Sequence, residues 1–303
     1  MIEYSQTTGD TSYLNILKDF ADNHFEYNNA KYAGYDDAQW AGITLIKAYS
    51  LFGEKKYLSR SIEMWNHIIK NAWDNDFCNG GLWWNYEQTY KNAITNELFI
   101  VFSTMLYIET NENKYKDWAL KTWKWFDETG MISSKTDDNS VIFLVNDGIN
   151  TSCKSNKRDI WTYNQGVLIG GLVNLWKIFE DSKYLNTAIN IATSSINNLT
   201  KNGILVEKPK PGIVRESLNT DQQQFKSIFV RYLTMLIQAL PDSNFNKVVF
   251  INFIKRNYEK VCKIYTDNKI GKLWDKKNTD NDFNAISQTS GLDLFISRLK
   301  TIH

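Results

Sequence analysis

Apolar residues recur along the chain with a helical period. In residues 55–72 they fall at three- and four-residue steps, at Tyr57, Leu58, Ile62, Trp65, Ile68 and Ile69. This spacing places them on one face of an α-helix, whereas a half-buried strand would alternate apolar and polar positions. The pattern predicts an amphipathic helix here, and comparable runs elsewhere predict a chain built mainly of helices.

A short turn sequence recurs between the helical runs. Each copy has glycine or polar residues followed by an aromatic ring, at Tyr13, Tyr57, Tyr115, Tyr184 and, in a weaker form, Phe245. We interpret each copy as a tight turn between antiparallel helices, with the ring packed into the first turn of the next helix. The copies lie roughly 45 to 70 residues apart, and helical hairpins repeated in this way indicate a toroid or a solenoid.

Longer connections separate the hairpins, and they are rich in Gly, Asn, Asp and aromatic residues. They contain residues 74–90, 132–161, 202–220 and 267–284. Loops of this composition often bind ligands. Each leads into a helix that starts with polar residues, which in a toroid would share one face and converge on one cavity. The alternative for each polar residue alone is that it caps its helix.

The stretch from Gly34 to Trp40 places two adjacent carboxylates, Asp36 and Asp37, between aromatic residues at a predicted helix start. Aspartate is favoured there because free N–H groups and the helix dipole stabilise negative charge. The pair can therefore be a cap and a first-turn acid. It can also be a glycosidase pair, with Tyr35 and Trp40 as walls for a sugar ring.

Composition narrows the function classes. The chain has 303 residues, 43% of them apolar and 14% aromatic, with Lys+Arg 35 against Asp+Glu 34 and a net charge of +1. A nucleic-acid or anionic-membrane partner normally requires a basic excess, which this chain lacks. Proline occurs only at positions 209, 211 and 241, and no stretch resembles a linker. We expect one domain over residues 1–303.

Cysteine and histidine give no metal pattern. Cys78, Cys153 and Cys262 are widely spaced and odd in number, which favours structural or free thiols over a disulfide framework. The three histidines are too scattered for a His-based metal site. We therefore expect no metal and no cofactor.

From the sequence as written we expect no membrane span and no export signal. No apolar run reaches the ~18 residues that a membrane span needs. Residues 1–6 have neither the basic nor the apolar region of a signal peptide. The chain as written is expected in the cytoplasm, or to be secreted if its N-terminus is truncated.

Several blocks occur together, in order, over roughly residues 10–240. They are Tyr35-Asp36-Asp37 before a Trp, Gly80-Gly81-Leu82-Trp83-Trp84-Asn85, Lys91-Asn92-Ala93-Ile94-Thr95-Asn96, Asp147-Gly148, Trp161-Thr162-Tyr163-Asn164-Gln165-Gly166, and Phe225-Lys226 with Phe229-Val230-Arg231-Tyr232-Leu233. This set resembles glycoside hydrolase family 76, the α-1,6-mannanases and related wall-remodelling enzymes of bacteria and fungi. The resemblance implies an all-α (α/α)6 barrel, a mannan-type substrate and a retaining mechanism without metal. It also implies that Asp36 is the nucleophile and Asp37 the acid/base.

The chemistry of the residues agrees with this expectation. Retaining hydrolysis needs two carboxyl groups about 5–5.5 Å apart, which neighbours at a helix start can reach. Two close carboxylates do not ionise easily together, so one can hold a proton at neutral pH. The predicted substrate-binding residues are Tyr35, Trp40, Trp84, Asn85, Lys91, Asn92, Asp147, Tyr163, Asn164, Gln165 and Lys226.

The chain departs from the family pattern at its start, where only residues 2–8 precede the first turn. We expect a barrel that lacks part of its first helical hairpin. The helix near residues 284–299 should then present an unpaired apolar stripe, at Ile286, Leu292, Leu294, Phe295 and Leu299. The alternatives for function are a glycan-binding toroid without catalysis, another toroidal carbohydrate enzyme such as an unsaturated-uronyl hydrolase, and a helical scaffold for protein partners.

Overall fold

The computed structural model describes residues 1–23, 34–137, 140–208, 213–215 and 217–302. Helices dominate this part of the chain, as predicted. They are α1 (Ile2–Thr8), α2 (Leu14–Asn23), α3 (Tyr35–Phe52), α4 (Lys55–Ala72), α5 (Ala93–Thr110), α6 (Asn113–Glu128), α7 (Thr162–Phe179), α8 (Ser182–Asn198), α9 (Phe225–Ala239), α10 (Phe245–Ile264) and α11 (Ala285–Leu299). Four short strands join them: β1 (Ile132–Asp137), β2 (Ser140–Val145), β3 (Thr200–Lys201) and β4 (Ile204–Leu205). None of the described helices is long and apolar enough to cross a bilayer.

Two compact units divide the chain. Unit 1 comprises Met1–Gly130 and Gly148–Ser155, and unit 2 comprises Met131–Asp147 and Asn156–His303. The expectation of a single domain over residues 1–303 stays a prediction.

In unit 1, α3 packs against α4 and α5 against α6, and α3 also packs against α5. Helix α5 is buried on nearly every side over its first two-thirds, whereas α4 and α6 bury only one stripe each. A helix that is apolar all round belongs in a core, and an amphipathic one covers that core. The predicted loop 74–90 therefore leads into a buried helix, α5.

The recurrent turns have one geometry. Helices α3, α5 and α7 each end at a left-handed residue, Gly53, Asn111 and Glu180, whose N–H bonds the carbonyl four residues earlier. Such a cap satisfies a free carbonyl at the helix end. The following rings of Tyr57, Tyr115 and Tyr184 are buried, as predicted. The prediction is wrong for Tyr13 and for Phe245, which is 78% exposed.

Unit 2 pairs α7 with α8 and with α9, and α9 also packs on α11. Residues 132–161, predicted as a loop, instead begin with an antiparallel hairpin in which Ile132 lies opposite Val145. The backbone N–H of Phe143 donates to the Ser194 hydroxyl at 2.9 Å and joins this hairpin to α8. A second hairpin, β3–β4, packs on α10.

The two ends of the chain match the sequence expectations only in part. The first helix, α1, is seven residues long, and the Glu3 carboxylate in it pairs with Lys47 of α3 at 2.6 Å. In α11, Leu292 and Leu299 are exposed, but Leu294 is fully buried. The stripe predicted on the last helix is therefore interrupted.

Candidate active site

The two adjacent aspartates occupy the first turn of α3. Gly34 precedes them in an extended conformation, and the Tyr35 N–H donates to the Trp84 carbonyl at 2.9 Å. A Cβ on Gly34 would lie 2.5 Å from Asp36 Oδ1 and 3.0 Å from the Trp84 carbonyl oxygen. Only glycine leaves room for the carboxyl group and the Trp84 backbone to approach this closely.

Asp36 is half-buried, and its Oδ1 has no hydrogen-bond partner among the described residues. Burial, and then the charge of Asp37, raise the pKa of Asp36 to about 7. The N–H groups of Asp36 and Asp37 and the indole N–H of Trp84 lower this pKa, but they do not offset burial. Asp36 therefore exchanges a proton near neutral pH.

Asp37 is exposed, so the two neighbours lie in different environments. Carboxyl pairs whose surroundings differ in this way are typical of acid/base chemistry. The role of nucleophile that the resemblance implies needs an ionised Asp36. Backbone N–H donors that favour its charge are present, but burial outweighs them. The assignment of Asp36 as nucleophile and Asp37 as acid/base stays a prediction.

Trp84 presents its ring near this turn. It is 41% exposed, and its backbone N–H donates to the Tyr90 carbonyl at 2.7 Å. Trp40 is half-buried. Tyr35 is only 2% exposed and packs against Tyr86, with ring centroids 4.5 Å apart. The ring of Tyr35 is covered by protein, and the prediction that it forms a wall for a sugar ring stays a prediction.

Lys91 is 1% exposed and holds a loop together. Its Nζ donates to the carbonyls of Asp74, Phe77 and Gly80 at 3.0, 2.6 and 2.7 Å and lies 4.7 Å from the Trp83 ring centroid. Burial lowers the pKa of Lys91 to about 8. The structure gives this ammonium group protein partners, and the saccharide contact expected from the sequence stays a prediction.

Two predicted amides also have internal partners. The Asn92 side chain caps α5 by accepting the Thr95 N–H at 3.2 Å. The Asn85 amide donates to the Thr89 hydroxyl at 2.9 Å within their loop. For Asn92 the cap alternative is confirmed, and both amides shape the loop that carries Trp84.

A disulfide joins Cys78 to Cys153 in unit 1. The expectation of structural or free thiols is therefore wrong for this pair and holds for Cys262, which is a free thiol. The Cys78 carbonyl accepts the Trp125 indole N–H at 2.9 Å, and the Ile149 N–H donates to the Lys91 carbonyl at 3.2 Å. The disulfide thus links the loop around Lys91 to the segment 148–155.

The remaining predicted residues lie in unit 2. The ring of Tyr163 stacks on Phe225 with centroids 3.8 Å apart. The Gln165 amide bonds both the N–H and the carbonyl of Val145 at 2.8 Å, which fixes the end of β2. Asn164 is fully buried, and neither its Oδ1 nor its Nδ2 has a hydrogen-bond partner among the described residues. The Asp147 N–H donates to the Asp159 carbonyl at 2.9 Å. Convergence of all predicted residues on one cavity stays a prediction.

Sequence reasoning missed Glu207. This residue is buried and accepts the hydroxyl and the backbone N–H of Thr162 at the start of α7. Burial raises its pKa, whereas the nearby Lys226 lowers it. Lys226 is buried too, and its Nζ donates to the Lys272 carbonyl at 3.0 Å. The only sequence signal for Glu207 is a single acid after the apolar run 204–206.

Among the described residues, no group of three or more His, Cys, Asp or Glu side chains is placed to hold a metal ion.

Comparison with known proteins identifies relatives over nearly the whole chain. The profile of glycosyl hydrolase family 76 matches residues 1–302. The mannan endo-1,6-alpha-mannosidase DCW1 of Candida glabrata is 26% identical over 97% of this chain and 67% of its own length. The protein of the same name from Saccharomyces cerevisiae is 28% identical over 89% of this chain and 61% of its own length. The chain spans about half to two-thirds of the length of such relatives.

A solved structure agrees in fold. It is an inactive variant of the α-1,6-mannanase GH76A of Salegentibacter sp. HEL1_6, in complex with α-1,6-mannotriose. It matches with a TM-score of 0.80 and 25% identity, over 99% of this chain and 86% of that chain. The predicted all-α fold of the helical toroid class is thereby confirmed. The profile match, the relatives and the fold agree, and this chain belongs to glycosyl hydrolase family 76.

Proposed function

We propose that this chain hydrolyses α-1,6-linked mannan by a retaining two-carboxylate mechanism. The observation that carries the proposal is the pair Asp36–Asp37, one half-buried and one exposed, in the first turn of α3. The Salegentibacter α-1,6-mannanase supports it, because its inactive variant has two consecutive aspartates changed to asparagine. The mannan endo-1,6-alpha-mannosidases among the relatives support the same substrate class.

In the first step, a carboxylate oxygen of Asp36 bonds to the anomeric carbon while the bond from that carbon to the leaving oxygen breaks. Asp37 donates its proton to the leaving oxygen. In the second step, Asp37 takes a proton from water, the water oxygen bonds to the anomeric carbon, and Asp36 is released as a carboxylate. Two inversions return the α configuration.

The surroundings of Asp36 stabilise its negative charge only in part, which suits a nucleophile. Two backbone N–H groups and the Trp84 indole favour its ionised form, while burial and Asp37 disfavour it. A proton on Asp37 removes the second of these unfavourable effects, so the productive form has Asp36 ionised and Asp37 protonated. Because the two groups interact, they titrate as a pair.

The direct test is the release of reducing ends from linear α-1,6-mannooligosaccharides. We expect activity in the wild type and a loss of at least a thousandfold in both Asp36→Asn and Asp37→Asn. Asp117→Asn, at an exposed position of α6, is the matched control and should keep full activity. Near-wild-type activity in both active-site variants would contradict the proposal and favour the alternative in which the two aspartates only stabilise the helix start.

The alternatives give different results in the same assay. A glycan-binding toroid without catalysis would be retained on mannan and release nothing. An unsaturated-uronyl hydrolase would cleave unsaturated uronides and leave mannan intact. The anomer of the first product, measured by NMR, separates retention from inversion.

We also propose that the chain works in an oxidising compartment, in place of the cytoplasm expected from the sequence. The Cys78–Cys153 disulfide supports this location, because disulfides persist mainly outside reducing compartments. Alkylation of freshly extracted native protein, followed by mass spectrometry, tests it. We expect only Cys262 to be labelled, and labelling of all three cysteines would contradict the proposal.

A further inference from the structure

A cationic cavity lies in unit 2, and none of the residues assigned above to catalysis or saccharide binding lines it. It has a volume of about 340 Å³ and lies against α10, the β3–β4 turn and residues 275–276. Five basic side chains line it: Lys201, Arg256, Lys260, Lys263 and Lys276. Only two acids do so, Glu259 and Asp275. A cleft lined mainly by one sign of charge concentrates ions of the opposite sign.

The two acids do not neutralise the positive charge on α10. Asp275, with a side chain 8% exposed, pairs with Lys201 at 3.4 Å. Glu259 is 3.9 Å from Lys255, which is not part of the cavity lining. Within the described ranges, Arg256, Lys260 and Lys263 have no carboxylate at ion-pair distance. These three residues lie four and three positions apart on one helix face, where like charges repel one another.

Helix electrostatics explain only part of this arrangement. Lys263 is in the last turn of α10, where a cation stabilises the helix dipole. Arg256 is near the middle of the helix, beyond the reach of that effect. The repulsion between cations that face one cavity decreases when an anion binds there.

The walls of the cavity are fixed. Asn257 is fully buried, and its Oδ1 accepts the Leu205 N–H at 2.8 Å while its Nδ2 donates to the Phe253 carbonyl at 2.9 Å. These bonds attach the β3–β4 hairpin to α10. Gly203, at φ +77°, brings the turn so near that a Cβ there would lie 2.4 Å from Arg256 Nη1. The guanidinium group therefore lies close to the turn.

We propose that this cavity binds a phosphomonoester or inorganic phosphate. Three uncompensated cations, one of them a guanidinium, suit a multiply charged oxyanion better than a single carboxylate. The volume is within the range of small-molecule sites and leaves room for a sugar attached to the phosphate. The proposal does not depend on the mannanase activity, and each of the two can fail without the other.

Titration calorimetry at low ionic strength tests the site with inorganic phosphate, mannose 6-phosphate and mannose as separate probes. We expect saturable binding of one phosphate per chain, no binding of mannose, and weaker binding as salt is added. Tighter binding of mannose 6-phosphate than of phosphate identifies a sugar phosphate as the ligand class. Equal affinities identify free phosphate.

Arg256→Gln combined with Lys260→Gln should reduce phosphate affinity at least tenfold. Lys255→Gln is the control, because it removes a cation from the same helix outside the cavity. Circular dichroism and a melting curve check that each variant is folded. The absence of saturable phosphate binding, or equal binding by the double variant and the control, would overturn the proposal.

Discussion

The indole N–H of Trp84 lowers the pKa of the Asp36 carboxyl, against the larger rise that burial causes. The same residue accepts the Tyr35 N–H through its carbonyl, so its backbone and its side chain both act on the turn that carries the aspartates. Trp84 was predicted only as a ring that stacks on a sugar. The structure adds an electrostatic effect on the proposed nucleophile.

Trp84→Phe separates these two effects, because it removes the N–H and keeps an aromatic face. We expect kcat/KM on a mannooligosaccharide to fall as pH rises through about 7 in the wild type, because the pair then loses the proton that the leaving group needs. In the variant this limb should move to higher pH, with little change in KM. Trp84→Ala should also weaken substrate binding by about 1–3 kcal/mol. Trp118→Phe in α6 is the control, and an unmoved pH limb in Trp84→Phe would refute the electrostatic effect.

Asp36→Asn should stabilise the protein at neutral pH while it abolishes activity. The folded protein raises the pKa of Asp36 from 3.8 to about 7. This group therefore contributes its full stability below about pH 4 and loses it as pH rises through about 7. The variant cannot ionise at this position and does not lose this stability. Its free energy of unfolding should therefore exceed that of the wild type by an amount that grows from pH 4 to pH 8, to at most about 4 kcal/mol. Urea unfolding at both pH values measures it, with Asp37→Asn for comparison, and a gain that does not depend on pH would contradict the burial argument.

The Cys78–Cys153 disulfide should contribute to stability through the loops that it joins. Cys78→Ser should reduce the free energy of unfolding by about 2–5 kcal/mol. Cys262→Ser changes the free thiol instead and should have little effect. Reduction of the wild type by dithiothreitol should reproduce the loss, and an equal effect of both substitutions would show that the disulfide is not responsible.

Lys91→Met distinguishes a loop-holding residue from a saccharide ligand. The substitution leaves three carbonyls without the ammonium group, so we expect a loss of about 3–5 kcal/mol in unfolding free energy. Calorimetric melting of the variant beside Lys55→Met, at the start of α4, measures this loss. Unchanged stability with a raised KM would restore the role predicted from the sequence.

Local sequence patterns predicted much of this structure because the features concerned depend on interactions between near neighbours in the sequence. The aspartate pair at a helix start and the buried rings of Tyr57, Tyr115 and Tyr184 depend on residues within one turn of each other. Phe245 shows the limit of this approach, since it follows a similar turn and its ring is exposed.

Long-range partners could not be predicted from spacing. Cys78 and Cys153 are 75 positions apart in the sequence, and Glu207 accepts a hydrogen bond from Thr162, 45 positions away. Lys91 and Gln165 are polar residues near helix starts, which favoured ligand binding, yet their partners are backbone groups of other segments. Burial of Asp36 likewise arises from tertiary packing, so its raised pKa could not be derived from its neighbours in sequence.

In the proposed mechanism, Asp36 forms a covalent intermediate with the sugar while Asp37 moves the proton. Mass spectrometry of Asp37→Asn after incubation with an activated aryl α-1,6-mannobioside tests it most directly. That leaving group needs no acid, and hydrolysis of the intermediate lacks its base, so the glycosyl-enzyme should accumulate. We expect a mannobiosyl adduct on the peptide that contains Asp36, removed by added azide. An adduct on another residue, or a turnover product of inverted configuration with no adduct, would contradict it.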